Sequence, residues 1–254
     1  MIFVAAGTRD GRELVKALLD AGHAVVASVV SRYGAELLEQ YGDGRLIVND
    51  KPLDEDAMME LFRHHHIRLM VDASHPYAEN VSRNAMAACR RAGIPYLRYE
   101  RPGIPIAYEK VYRVHGYEEA ARQAAALGKH VFLTTGSRNL RAFTESPDLR
   151  NCVLTARVLP SAEVLAECAR LGLSPKQIVA MQGPFSQKLN EELFRQYEAE
   201  VIVTKNGGQI GGADTKFAAA EALGLPVVLI ERPAIEYAAV AGTFAEVLAF
   251  VGGL

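Results

Sequence analysis

The densest run of side chains able to do chemistry is Asp72-Ala-Ser-His-Pro-Tyr-Ala78. Ile67, Leu69, Met70 and Val71 lead into it, so a short buried strand ends at Asp72 or Ala73. Pro76 fixes its own φ and biases His75 away from the α region, which forces a turn. Ser74, His75, Pro76 and Tyr77 are thereby held at the carboxyl end of a strand, where open α/β sheets place their ligands. Histidine is the side chain that ordinarily titrates near neutrality, so His75 is a proton-donor candidate. The plainer reading is an ordinary strand-to-helix loop with a proline in it.

Three more stretches carry chemistry of their own. Gly7-Thr-Arg-Asp-Gly11 follows an apolar run at 2–6 and precedes an amphipathic helix with Leu14, Val15, Leu18 and Leu19 at helical spacing. Gly7, Thr8, Arg9 and Gly11 form a phosphate-loop candidate, because glycine admits a pyrophosphate to the backbone and a helix N-terminus offers N–H groups. Ala5 stands where the first glycine of G-x-G-x-x-G would be, so the fingerprint is incomplete and a bare tight turn is the alternative. At the end of the second strand the chain reads Val30-Ser-Arg-Tyr-Gly34, without the acidic residue that binds a ribose in NAD sites. A hydroxyl and a guanidinium, Ser31 and Arg32, suit the extra phosphate of NADP, which favours NADPH over NADH; a solvated loop arginine is the other reading. Finally, Thr204-Lys-Asn-Gly-Gly208 followed by Gly211-Gly212 implies backbone bent closely around something, with Lys205 at its centre and Lys216 on the next helix.

The elements that must position these residues alternate. Strands are expected near 2–6, 24–30, 45–48, 67–73 and 95–99, with helices at 54–65, capped by Asp54, and at 79–91, closed by Gly93. A Pro/Gly interruption at 101–105 reads as a linker. Alternation resumes with strands at 111–114, 131–135, 153–158, 177–181, 201–204 and 227–230, the last closing the series. Helices fall at 117–127, 162–170, 187–197 and 215–223. Strands joined by helical crossovers argue for parallel sheets covered on both faces. Thr135-Gly-Ser-Arg-Asn-Leu140 echoes the loop at Gly7, as two similar α/β halves would.

Composition narrows the classes. The chain has 254 residues, half of them hydrophobic and 23% charged, with a net charge of -2. That is globular, and nothing in the balance indicates a nucleic-acid binder. Cys89, Cys152 and Cys168 are far apart and odd in number, as buried free thiols in a reducing cytoplasm would be. No Cys/His spacing indicates a metal site, and His64-His65-His66 reads as a solvated helix end. No membrane span or signal peptide is recognisable, so a cytoplasmic protein is expected.

Taken in order, Asp72-Ala-Ser-His-Pro-Tyr-Ala78, Arg98-Tyr-Glu-Arg-Pro102, Thr135-Gly-Ser-Arg-Asn-Leu140, Gly183-Pro-Phe-Ser186 with Asn190, and Thr204-Lys-Asn-Gly-Gly208 followed by Gly211-Gly212 resemble the signatures of precorrin-6A reductases of cobalamin biosynthesis. The resemblance spans nearly the whole chain. The departures are Ala6 before Gly7, where relatives often carry glycine, and Ser74 and Tyr77, where threonine and phenylalanine are common. It implies two Rossmann-like parallel-sheet domains, 1–102 binding the dinucleotide and 103–254 on the substrate side, with the active site in the cleft between them. It also implies hydride reduction of one macrocycle double bond of precorrin-6A or cobalt-precorrin-6A to the 6B form, with NADPH or in some members NADH.

The cofactor set is then Gly7, Thr8, Arg9, Gly11, Ser31, Arg32, Ser74, His75 and Pro76. The cationic candidates for a polycarboxylate are Arg98, Arg101, Arg138, Lys205 and Lys216. Tyr77, Gly136, Ser137, Ser186, Asn206 and Gly207 complete the substrate set, and His75 or Lys205 would deliver the proton. A monomer or small homo-oligomer without nucleic-acid, membrane or metal partners is expected. Two rivals remain: a non-catalytic NADP-sensing module, and another NADP-dependent reductase. Against a short-chain dehydrogenase, no tyrosine is followed four residues later by lysine.

Overall fold

The computed structural model describes residues 1–101, 103, 106–206 and 213–254, the side chains of Ala213 and Asp214 excepted. The Gly207, Gly208, Gly211 and Gly212 positions singled out above lie outside the described residues. Two units emerge: Met1–Pro102 together with Pro233–Leu254, and Gly103–Arg232.

In the first unit β1 (Ile2–Ala5), α1 (Arg9–Asp20), β2 (Val25–Ser28), α2 (Arg32–Glu39), β3 (Leu46–Asn49), α3 (Glu55–His64), β4 (Leu69–Asp72), α4 (Glu79–Ala92) and β5 (Tyr96–Tyr99) alternate without exception. The end of the chain adds β12 (Val240–Ala241) and α10 (Phe244–Gly252). The sheet is parallel throughout, in the order β3-β2-β1-β4-β5-β12. This is the doubly wound order whose direction reverses between β1 and β4, opening a crevice at their carboxyl ends. Strand alternation sends Ile2 and Val4 to one apolar layer, with Leu14, Val15, Leu18 and Val247, and Phe3 and Ala5 to the other, with Met58, Phe62 and Met70. Helices cover both faces, as a sheet of consecutive apolar strands requires.

The second unit repeats the plan. β6 (Val111–Val114), α5 (Tyr117–Leu127), β7 (His130–Leu133), α6 (Arg141–Thr144), β8 (Val153–Val158), α7 (Ala162–Arg170), β9 (Ile178–Ala180), α8 (Gln187–Gln196), β10 (Val201–Lys205), α9 (Ala213–Ala222) and β11 (Val227–Ile230) follow in order. Its parallel sheet runs β9-β8-β7-β10-β11-β6, so β7 and β10 flank the reversal.

Three expectations need correction. Residues 233–254 belong to the first unit, and β11 does not close the series. β12 pairs with β5 through Val240↔Arg98 and Ala241↔Tyr99, and α10 buries Val247 and Val251 in the first unit's core. The cap was visible in the sequence: Thr243 Oγ1 accepts the Glu246 N–H at 3.2 Å, and the Glu246 carboxylate accepts the Gly242 N–H, a near relative of the S/T-x-x-E box. No helix was expected between the second and third strands, yet α2 opens at Arg32 with Ser31 as its N-cap.

Candidate active site

At the first reversal the loops after β1 and β4 are tied together. Thr8 caps α1 by accepting the Gly11 N–H at 2.9 Å and donates its hydroxyl to the Ala73 carbonyl at 3.0 Å. A Cβ on Gly11 would sit 2.8 Å from Ala6 Cα and 3.1 Å from the Ala73 oxygen, both backbone, so only glycine lets α1 approach this closely. This is the third-glycine role of a dinucleotide loop, close packing of helix on strand. Gly7 is exposed, with nothing within 4 Å of where a Cβ would stand. The loop therefore offers open backbone at a helix N-terminus whose first acidic residue, Asp10, already faces Arg101. The residues present fit a dinucleotide phosphate.

The other cofactor candidates are more heavily engaged. Ser31 is the N-cap of α2 and accepts the Gly34 N–H at 3.1 Å. Arg32 is exposed beside it and pairs with Glu36 at 3.3 Å and Asp50 at 3.9 Å. Arg9 is exposed and pairs with Glu13 at 2.8 Å. In the Asp72 loop, Ser74 is buried, His75 exposed, and Pro76 and Tyr77 half-buried. The Tyr77 N–H donates to His75 Nδ1 at 3.3 Å, and the two rings lie 5.6 Å apart.

Asp72 itself has an internal task. Its carboxylate is fully buried; it accepts from the Ser74 N–H at 3.0 Å, the Ser82 hydroxyl at 2.6 Å and the Tyr96 hydroxyl at 2.7 Å, and pairs with Arg98 at 3.0 Å. Burial alone would raise its pKa, but Arg98 and these hydrogen bonds outweigh it and hold the group below the usual carboxylate range. Arg98 also pairs with Glu100 at 3.0 Å and lies 5.4 Å from the Tyr237 ring centroid. The structure withdraws Arg98 from the substrate-binding set: its side chain is 1% exposed and committed to two carboxylates. Arg101 is likewise partly committed, to Asp10 and to the Tyr99 hydroxyl at 3.0 Å.

At the second reversal the end of β7 is tied to β10 itself. The Thr134 hydroxyl donates to the Val203 carbonyl at 3.1 Å. Gly136 takes φ +79°, turning the chain so that Ser137 is half-buried and Arg138 exposed. Lys205 lies 5.2 Å from the Tyr117 ring centroid; burial first, and the Arg138 cation second, push its pKa down to about 8. Among the described residues the buried Thr135 hydroxyl has no hydrogen-bond partner. The Asn206 carbonyl accepts from Arg232, Lys216 is buried on α9, and Ser186 is the N-cap of α8, accepting the Leu189 N–H. Gly207 lies outside the described residues.

Sequence reasoning passed over Arg157, a buried arginine on β8, although a charge inside an apolar strand was a readable signal. Among the described residues no three His, Cys, Asp or Glu side chains converge as a metal site would require. No described helix is long and apolar enough to cross a membrane. A cavity of about 610 Å³ bordered by Arg83, Arg90 and Glu236 lies along α4, away from the β1/β4 strand ends; the strand-end loops, which carry the chemistry, are the better candidate site.

Comparison with known proteins gives this geometry a family. The family described as precorrin-6x reductase CbiJ/CobK matches residues 1–252. The cobalt-precorrin-6A reductase of Priestia megaterium is 41% identical over 98% of this chain and 96% of its own. That of Methanothermobacter thermautotrophicus is 35% identical over 92% and 77%. A solved structure, CobK precorrin-6A reductase, superposes with a TM-score of 0.80 at 29% identity, covering 99% of this chain and 96% of that one. The chain belongs to the precorrin-6x reductase CbiJ/CobK family and is an oxidoreductase.

Proposed function

We propose that this protein reduces one double bond of cobalt-precorrin-6A with NADPH, giving the 6B form, a reduction step of cobalamin biosynthesis. The observation that carries the reading is the β1/β4 crevice, where Gly11 and Thr8 bring a helix N-terminus against the Asp72 loop in a chain matched to a reductase family from end to end. Its reductase chemistry implies a nicotinamide cofactor, which supplies the hydride when bound. The choice of the cobalt form follows the two relatives at 41% and 35% identity, both named for it; relatives named precorrin-6A reductase without cobalt stand at 33% and 28%, and the CobK precorrin-6A reductase structure at 29%.

The protein's own residues then have defined tasks. Gly7, Thr8 and Gly11 hold the pyrophosphate against the N-terminus of α1, and Arg9 lies at its rim. Ser31 and Arg32 at the end of β2 take the phosphate that distinguishes NADPH; Arg32 does so by exchanging its exposed pairs with Glu36 and Asp50, which hold it weakly. Ser74, His75 and Pro76 shape the opposite wall and Tyr77 adjoins it. In the second unit Gly136, Ser137 and Arg138 with Lys205, Asn206, Gly207 and Lys216 receive the macrocycle and its carboxylates, with Ser186 at the start of α8. Lys205, its pKa lowered to about 8, is the better proton donor; His75 is the alternative.

Anaerobic incubation with cobalt-precorrin-6A and with metal-free precorrin-6A, following loss of NADPH absorbance, tests the reading. Oxidation is expected with both and faster with the cobalt form. No oxidation with either removes the reading, and a clear preference for the metal-free form removes the substrate choice.

A further inference from the structure

Arg157 is 7% exposed, on the face of the second sheet that α8 covers, beside Val179 across the β8–β9 pair. Its Nη1 donates to Asn190 Oδ1 at 2.7 Å, and the guanidinium carbon lies over the Phe185 ring, 4.1 Å from its centroid. Asn190 is fully buried and fixed in turn, giving its amide hydrogens to the Ser186 carbonyl at 3.0 Å and the Thr215 hydroxyl at 3.4 Å. Among the described residues no carboxylate stands within ion-pair distance of Arg157. Burial, opposed by no counter-charge, pushes its pKa down to about 10, so the group is still a cation at neutral pH.

A guanidinium has five N–H donors, and one is used here. Among the described residues the buried side-chain polar atoms without a partner are the Thr135 and Thr144 hydroxyls, so the remaining guanidinium nitrogens are not sealed from solvent. The group is thus held on one side by Asn190 and on its face by Phe185, with donors left over for a further partner. Burying a cation with only a neutral partner is unfavourable in the ligand-free protein, and an incoming anion would relieve it.

We propose that Arg157 is the receptor for one peripheral carboxylate of the macrocycle, gripping it with two donors beneath Phe185; this rests on the function proposed above. A carboxylate matches the planar two-pronged edge, and the substrate carries several. Arg157 neighbours the β7 strand end on β8, and the carboxylate it holds would orient the ring rather than react. Arg157 is a positioning residue.

The test uses the full chain and two variants. Arg157→Gln keeps a donor for Asn190 and removes the charge; Arg157→Lys keeps the charge and loses the two-pronged geometry. For the Gln variant the expected result is a KM for cobalt-precorrin-6A raised about tenfold or more with kcat within about twofold, because a contact made equally in ground and transition state is lost. The NADPH Kd should be unchanged and the melting temperature unchanged or higher, since the unneutralised charge is gone. The Lys variant should raise KM by about three- to tenfold. A folded variant of either kind with wild-type KM overturns the inference, as does a lower melting temperature with unchanged KM, the signature of a purely structural arginine. Weaker NADPH binding with unchanged KM would move the anion to the cofactor and overturn the assignment. Failure of both variants to fold makes Arg157 part of the scaffold and also overturns it. If the wild-type protein oxidises no NADPH with the macrocycle, the function reading itself falls and takes the ligand with it, a result distinct from the others.

Discussion

Two arginines are buried in the strands of this protein and are treated in opposite ways. Arg98, on β5 of the first unit, meets Asp72, Glu100 and the Tyr237 ring, and its pKa is raised because the carboxylates outweigh the effect of burial. Arg157, on β8 of the second, meets an amide and a phenyl ring, and its pKa falls. The same side chain at nearly the same depth is neutralised in one fold copy and left charged in the other. The difference follows the work proposed for each unit. The β4–β5 region must be rigid to hold a loop against α1, and a satisfied ion-pair network gives that rigidity. The second unit has to attract a polyanion, and internal carboxylates would compete with it.

The sharpest way to break the contrast is to remove one partner of the neutralised pair. Arg98→Gln leaves Asp72 charged and buried, which is expected to cost about 3–5 kcal/mol, read as a lower urea midpoint, whereas Arg157→Gln should leave that midpoint in place. Equal losses in the two variants would erase the distinction. The pair also sets an acid limit. Asp72 has a folded pKa held below its unfolded value, so its contribution is complete above about pH 3.9 and is lost as pH falls through the lower folded value. Asp72→Asn should be less stable at neutral pH and should lose less of what remains on acidification, measured by urea unfolding at stepped pH.

The next largest effect concerns the cationic side. With Lys205 pushed down to about 8 by burial and by Arg138, turnover that depends on its proton should decline above about pH 8, and Lys205→Arg, which stays charged, should lower kcat by roughly 10²-fold and abolish that limb. An unchanged limb in Lys205→Arg would pass the proton role to His75 or water. Gly11→Ala sharpens the other side: a methyl 2.8 Å from Ala6 Cα must push α1 off β1, a cost of about 1–3 kcal/mol accompanied by weaker NADPH binding. The corresponding turn of the second unit should tolerate change in a different manner, because a Cβ on Gly136 meets nothing within 4 Å and only its φ of +79° resists it.

Much of this architecture was legible because parallel strands buried on both faces leave short apolar runs rich in β-branched residues, alternating with longer amphipathic helices. β6, α5, β8, α7 and β11 begin and end on the residues that the pattern indicates. β12 was not, since it is two residues long and acquires its identity from pairing with β5, a long-range contact without local trace. The site divides in the same way. Turn residues such as Gly7, Thr8 and Gly136 announce themselves through backbone chemistry. The partners of charges do not: Arg98 was read as facing a ligand because nothing in Arg98-Tyr-Glu-Arg101 reveals that Asp72 lies across the β4–β5 pair. A charge inside an otherwise apolar strand signals that a partner must exist; it cannot say whether the partner is protein, as for Arg98, or ligand, as inferred for Arg157.

The smallest expected effect tests an arginine of a third kind, neither neutralised in the core nor left charged there. Arg32 is 69% exposed along its side chain, and its pairs with Glu36 and Asp50 lie in water, where such contacts contribute about 0–1 kcal/mol. Arg32→Ala should therefore leave the melting temperature nearly unchanged. If Ser31 and Arg32 hold the phosphate peculiar to NADPH, the variant should raise the NADPH Kd by about five- to tenfold, as one exposed charge-assisted contact warrants, and leave NADH binding as it was. Asp50→Asn supplies the converse, because removing a competing carboxylate should tighten NADPH slightly. Equal changes for both cofactors in Arg32→Ala would mean that the residue's pairs with Glu36 and Asp50 are its whole role, and that the phosphate is met elsewhere around the β2 strand end.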